Sequence, residues 1–277
     1  LGFLPVYQRG FFCNDESLQY PYKDSTVSSL MLYSISLGLP ILIILISEAI
    51  VYCRRKRYQL EYLSQNSFNR CCCDVRINPY FFQTSKAITM FLFGAVITIN
   101  ITDMAKNMIG RLRPHFMDVC QPDFSVINCS GGYITEFTCL FDNDDDYPLQ
   151  DARRSFPSGH SSVSAYCMVY LLLYLESRMK WKRVRLLKPT LQFIAILLAL
   201  FCCMSRISDY KHHSSDVFVG FILGTTVAVF MALVVANMFK KEEVNEKTDT
   251  INSEILFMEM NPRSRANFKQ TISSSFI

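Results

Sequence analysis

The chain has 277 residues, half of them hydrophobic, with a positive mean hydropathy of +0.17 and a formal net charge of +4. Such an apolar composition excludes an ordinary soluble domain and points to a membrane protein. The small net charge argues against nucleic acid as a partner, and Lys and Arg gather where membrane topology would put them.

In chain order, residues 1–6 are apolar and 7–26 polar, a pattern that reads as the tail of a truncated span followed by a loop, with a first helix expected upstream. Residues 27–52 are long and apolar enough to cross a bilayer, which takes roughly 20 residues. They end in Arg54-Arg55-Lys56-Arg57, a mark of the cytosolic side. A loop through Arg70 and Arg76 leads to a second span at 81–104, in which Lys86 is near enough to one end to snorkel. A long polar segment, 105–154, follows. A short third span at 161–176 closes with Arg178, Lys180, Lys182, Arg183, Arg185 and Lys188, again cytosolic. Residues 190–204 and 217–239 make a fourth and a fifth span, the last ending in Lys240-Lys241.

The expectation is an all-α polytopic membrane bundle, six spans with the first largely missing, forming one domain over 1–241. Residues 242–277 are polar, mixed in charge and without apolar periodicity, and read as a disordered cytosolic tail. The alternation of basic clusters puts 7–26, 105–154 and 205–216 together on the extracellular or lumenal face. Cys13, Cys120, Cys129 and Cys139 fall in those outer segments, where disulfides can form; every pairing among them stays open. Cys71-Cys72-Cys73 suits S-palmitoylation or simple burial. Asn128-Cys129-Ser130 is a glycosylation sequon in the long outer loop, whereas Asn100-Ile101-Thr102 lies too close to the bilayer to be used.

Three segments carry chemistry. The first is Lys106-Asn107-Met108-Ile109-Gly110-Arg111-Leu112-Arg113-Pro114; as a helix it sets Lys106 and Arg113 two turns apart on one face, aimed at one spot. These cations sit on the outer side, where the positive-inside bias does not ask for them. The second, Phe156-Pro157-Ser158-Gly159-His160, opens the third span with a turn whose N–H groups around Ser158 and Gly159 bind phosphate oxygens, with His160 at the rim. The third, residues 205–216, holds Arg206 and His212, with Asp216 four residues on and expected on the same helical face. Aspartate bonded to one ring nitrogen of His212 would fix the tautomer and free the other nitrogen to attack. The four histidines of the chain, His115, His160, His212 and His213, all lie in polar stretches bordering spans. This inventory of cations, N–H donors and two imidazoles fits phosphoryl transfer, where catalysis is mostly positioning and electrostatics.

Lys-x6-Arg-Pro, Pro-Ser-Gly-His and Ser-Arg-x5-His-x3-Asp, in this order and each at a span end, resemble the three signature motifs of the type 2 phosphatidic acid phosphatase superfamily. The flanking Gly110–Phe116 and Ser208–His213 text is similar to its animal lipid phosphate phosphatase branch, and the likeness runs from about Arg9 to Lys240. The resemblance implies a membrane enzyme needing no metal or other cofactor that dephosphorylates lipid phosphate monoesters on the outer or lumenal face, most naturally at the plasma membrane, with internal membranes left open. Implied substrates are phosphatidate, lysophosphatidate, sphingosine 1-phosphate and ceramide 1-phosphate. By that likeness His212 attacks phosphorus and Asp216 orients it. His160 protonates the departing lipid oxygen and later activates water, while Lys106, Arg113, Arg206, Ser158 and Gly159 hold the phosphate. His115 and His213 are not required by the motifs, and Ser214 stands where close relatives carry an aromatic residue. A homo-oligomer is allowed but not required.

Other readings are weaker. Asp142-Asn143-Asp144-Asp145-Asp146 begins like a calcium loop, but Tyr147 replaces the needed glycine and Arg153 the closing glutamate. Zinc hydrolase patterns are missing. A serine hydrolase built on Ser158 leaves Lys106, Arg113 and Arg206 unexplained. A catalytically silent relative that binds lipid phosphates as a scaffold would not need both His160 and His212.

Overall fold

The computed structural model describes residues 5–65, 79–140, 147–179 and 186–239. The cysteine triplet, the acidic run 142–146, most of the basic cluster before Lys188 and the tail 242–277 lie outside these residues. Among the described residues two two-residue strands, β1 (Phe11–Phe12) and β2 (Tyr133–Ile134), accompany seven α-helices. These are α1 (Ser29–Gln65), α2 (Pro79–Ile109), α3 (Phe116–Cys120), α4 (Tyr147–Ala152), α5 (Gly159–Arg178), α6 (Leu187–Ser208) and α7 (Ser214–Phe230), the last continued by a π-turn, Met231–Val235.

Among the described residues, four segments are long and apolar enough to cross a membrane: Ser29–Arg54, Tyr80–Ile109, Leu187–Ser208 and Ser214–Val235. α1 runs past its apolar part because Arg, Lys, Gln, Glu and Leu all favour helix. The expected third span, α5, falls short of that apolarity for a packing reason. It lies among α1, α2, α6 and α7, so its side chains meet protein rather than lipid, and it can carry serines and tyrosines because nearly all their hydroxyls are bonded, the buried Tyr170 hydroxyl excepted. Ser161 Oγ donates to the Val217 carbonyl at 2.7 Å, Tyr166 to the Phe91 carbonyl at 2.7 Å, and Ser162 shares a bond with Thr102 at 2.9 Å. α7 meets α5 through Gly220, Gly224 and Ala228, one small residue per turn on one face, which lets the two backbones touch. A Cβ at Gly220 would stand 2.6 Å from the Ser158 carbonyl oxygen.

The start of α1, the end of α2, the start of α5, the end of α6 and the start of α7 share one end of the bundle. Bonds from His160 to the Val27 carbonyl, from Thr26 to Asp209 and from Ser158 to the Asp216 carbonyl tie them there, and Lys106 at the end of α2 lies against Gly159. At the other end Glu48 pairs with Arg178 at 3.0 Å, and Tyr174 donates to Glu48 at 2.9 Å. Over the first end sits a small cap. The β1–β2 ribbon, α3 and α4 enclose Phe11, Leu18, Leu112, Phe116, Val119 and Ala152, with the Arg153 guanidinium against the Phe116 and Phe137 rings. Two disulfides lace it, Cys13–Cys129 and Cys120–Cys139.

Candidate active site

α2 does not carry the first motif to its end. The helix stops at Ile109, because Gly110 takes a left-handed φ of 58°, its N–H still bonded to the Lys106 carbonyl at 3.1 Å. Lys106 therefore stays in the last turn of α2, while Arg113 sits beyond it in irregular chain. The expected helical alignment of the two cations is replaced by a fold-back in which Arg113 N–H bonds the Ala152 carbonyl at 2.8 Å. The Arg113 side chain is nearly buried, pairs with Asp151 at 2.6 Å, and keeps its Nε without a partner. A buried guanidinium N–H left open is costly unless something outside the protein fills it.

Ser158 is the N-cap of α5, its Oγ accepting from Ser161 N–H at 3.4 Å. Its own N–H donates to the Asp216 carbonyl at 3.0 Å, so it is not open to a phosphate as expected. Among the described residues the N–H groups of Gly159 and His160, the first two of the helix, have no protein partner. Gly159 matters sterically: a Cβ there would stand 2.9 Å from Lys106 Nζ, so its absence lets the ammonium approach this helix start. His160 Nε2 lies 3.2 Å from the Val27 carbonyl, which can only accept. Nε2 therefore carries hydrogen, and Nδ1 is the nitrogen left for proton exchange.

His212 and Asp216 do not share a helical face, because α7 begins only at Ser214. Nor do they touch as expected. His212 Nδ1 bonds the Ser155 main-chain carbonyl at 2.7 Å, and it is Ser155 Oγ that donates to Asp216 Oδ2 at 2.6 Å. Asp216, fully buried, also accepts from His213 N–H at 3.1 Å, as the third residue of α7 capping its own helix, and from Arg111 at 2.5 Å. The carboxylate thus joins α7 to the segment before α5. Orientation of His212 falls to a backbone carbonyl, with the same result for the imidazole: Nδ1 protonated, Nε2 with its lone pair. Burial, then the charges of Arg113 and Lys106, hold the His212 pKa well below the ordinary histidine value, and His160 is close enough to lower it further.

Arg206 is almost wholly buried and bonds Asp209 Oδ2 through Nη2 at 3.0 Å. Lys106, Arg113 and Arg206 all stand near enough to His160 for their charges to act on its imidazole. His115, outside the motifs, is a buried post: Nδ1 bonds the Tyr210 carbonyl at 2.8 Å, and burial pushes its pKa down to about 4. His213 caps α7, and Ser214 is exposed. Asn128 is exposed and accepts from Ser130 N–H at 3.0 Å.

Ser155 and Arg111 were missed in the sequence. Arg111 stands two residues before a motif cation and reads as its neighbour. Ser155 acts mainly through a carbonyl, which no side-chain pattern can report.

Residues 87–240 match the PAP2 superfamily. The chain is 43% identical over 242 residues to rat phospholipid phosphatase 1, covering 87% of this chain and 80% of that protein. It is 42% identical over 242 residues to a putative phosphatidate phosphatase of Drosophila melanogaster (85% and 63%) and 39% identical over 234 residues to human phospholipid phosphatase 2 (84% and 75%). With paired imidazoles, three cations and an open helix start gathered at one end of a membrane bundle, and with relatives of this extent, the chain belongs to the PAP2 superfamily and is a membrane-embedded phosphatase.

Proposed function

We propose that the chain hydrolyses lipid phosphate monoesters, among them phosphatidate, lysophosphatidate, sphingosine 1-phosphate and ceramide 1-phosphate, by way of a phosphohistidine and without a metal. His212 Nε2 attacks phosphorus as the bond to the lipid oxygen breaks, and His160, doubly protonated beside the negative charge of the bound phosphate, gives its Nδ1 proton to that oxygen while Nε2–H stays on the Val27 carbonyl. Water then loses a proton to the same nitrogen and attacks phosphorus, expelling His212 and releasing inorganic phosphate. Lys106, the open Arg113 Nε–H, Arg206 and the first N–H groups of α5 hold the three phosphoryl oxygens, whose negative charge they balance. Asp216 acts through Ser155 and Arg111, holding the segment that presents the Ser155 carbonyl.

The observation that carries this reading is the His212 bond to that carbonyl in a setting that keeps the imidazole neutral, the state a nucleophile needs. The positive-inside pattern of the spans supports an extracellular or lumenal site, with Asn128 on that face as a glycosylation acceptor. The disulfide-laced cap supports the same side.

The test is phosphate release from phosphatidate and lysophosphatidate by membranes carrying the chain, with EDTA present, beside the His212→Ala variant. Release by the wild type alone is expected, with ³²P trapped on the protein in acid-labile, base-stable form. A wild type that binds lipid phosphate and releases nothing would instead mark a silent scaffold, and a strict need for divalent metal would overturn the mechanism.

A further inference from the structure

Every residue assigned above to phosphate chemistry lies inside the stretch that matches the superfamily, which begins at residue 87. Residues 20–27, ahead of α1, lie outside it, yet their bonds end on the elements of the site. Tyr20 stacks on Tyr210 with ring centroids 4.5 Å apart, and the Tyr22 ring lies 3.5 Å from Lys211 Nζ. Thr26 donates twice to Asp209, its N–H to Oδ2 at 2.8 Å and its hydroxyl to Oδ1 at 2.7 Å. The next residue, Val27, supplies the carbonyl that holds His160.

The Thr26 bonds bear directly on Arg206. A carboxylate beside a guanidinium tends to close on it with both oxygens, forming two parallel bonds. Asp209 does not: only Oδ2 reaches Arg206, through Nη2 at 3.0 Å, because Oδ1 is taken by the Thr26 hydroxyl. Nε and Nη2 share the Ser205 hydroxyl at 3.3 Å, and among the described residues Nη1 has no protein partner. Asp209 is itself nearly buried, so an Oδ1 deprived of Thr26 could not turn to water and would turn to the guanidinium.

We infer that Thr26 is a positioning residue of the phosphatase: by occupying one oxygen of Asp209 it keeps Arg206 in a one-point ion pair, with the rest of the guanidinium turned to the substrate phosphate. The inference rests on the role proposed for Arg206. It also makes the segment before α1 a working part of the site rather than a leader to the bundle.

The test uses the full chain in detergent-solubilised membranes with Thr26→Val, which removes the hydroxyl, and Thr26→Ser, which keeps it. Four quantities are read: kcat and KM on phosphatidate, inhibition by orthovanadate as a phosphate mimic, and the heat-inactivation midpoint. For Thr26→Val, kcat/KM and vanadate affinity should fall together by about tenfold, the scale of one hydrogen bond to a charged group. Thr26→Ser should restore both, and the heat-inactivation midpoint should stay in place for all three proteins. Wild-type values in Thr26→Val, a Thr26→Ser variant as poor as Thr26→Val, or a loss that simply follows heat inactivation would overturn the inference. A wild type that releases no phosphate would overturn the functional reading instead.

Discussion

The main-chain carbonyl oxygen of Ser155 lies 2.7 Å from Nδ1 of His212. A carbonyl only accepts, so this contact fixes the proton on Nδ1 whatever side chain position 155 carries. Ser155→Ala therefore keeps the tautomer and loses the hydroxyl bond to Asp216 together with a long 3.5 Å contact of that hydroxyl with His212 Nδ1. Turnover should drop about tenfold or less, the scale of one hydrogen bond to a buried charge, whereas His212→Ala should abolish it. Single-turnover phosphate release distinguishes the two, and a Ser155→Ala enzyme as dead as His212→Ala would show that the hydroxyl, not the carbonyl, sets the imidazole.

Arg113 and Arg206 are nearly buried, each tied to one carboxylate and each with guanidinium N–H groups left over. Lysine keeps the charge but cannot hold a carboxylate and a phosphate in the same planar fork. Arg113→Lys and Arg206→Lys should each cost about 10²-fold or more in kcat/KM, as losing a donor to a transition-state oxyanion does. Steady-state kinetics will separate the cases. A change confined to KM would mean that the residue binds ground state and transition state equally.

The pH profile follows from the surroundings of His212. Only the neutral imidazole attacks, and burial with the charges of Arg113 and Lys106 moves its pKa well below 6.5. The acid limb of kcat/KM, which reports the free enzyme, should accordingly lie below pH 6.5. Replacing Lys106 with Gln removes a positive neighbour, so the limb should shift to higher pH even as the rate falls. Stability carries the same sign. In the unfolded chain the histidines take up protons first, so the stabilising contribution of neutral His212 and His115 is whole above pH 6.5 and lost as pH falls. For His115 the loss extends down to about pH 4. A pH-rate profile unmoved in Lys106→Gln would contradict this account.

The spans were legible because lipid-facing helices must be apolar along their length, and the motif residues because phosphate chemistry requires cations and imidazoles at span ends. What stayed hidden were the relations set by backbone. Gly110 ends α2 early and moves Arg113 off the face of Lys106, since a single left-handed residue outweighs the helical propensity of its neighbours. The chain between α6 and α7 breaks the i, i+4 relation of His212 to Asp216, and a main-chain carbonyl takes the orienting role. α5 reads as a poor span because helical partners, rather than lipid, surround it. The bonds of Thr26 and Val27 to Asp209 and His160 join positions more than 130 residues apart, with no pattern in the sequence to announce them.

The close approach of α5 and α7 sets the distance between the second and third motifs, because it is across this contact that Ser158 N–H reaches the Asp216 carbonyl. Gly224 is its tightest point: a Cβ there would collide with the Ser162 carbonyl and the Tyr166 backbone nitrogen, atoms that a helix cannot move singly. Gly224→Val should push the helices apart, costing about 1–3 kcal/mol or more in stability and carrying off activity with it, as overpacking in a close-packed core does. Gly38 is the matching control, an α1 glycine with open space around the position of a Cβ. Gly38→Ala should leave turnover intact and, by its helical preference, the fold no weaker. Heat inactivation in detergent, followed by residual phosphate release, compares the two variants directly, and equal tolerance at both positions would show that the α5–α7 contact does not govern the geometry of the site.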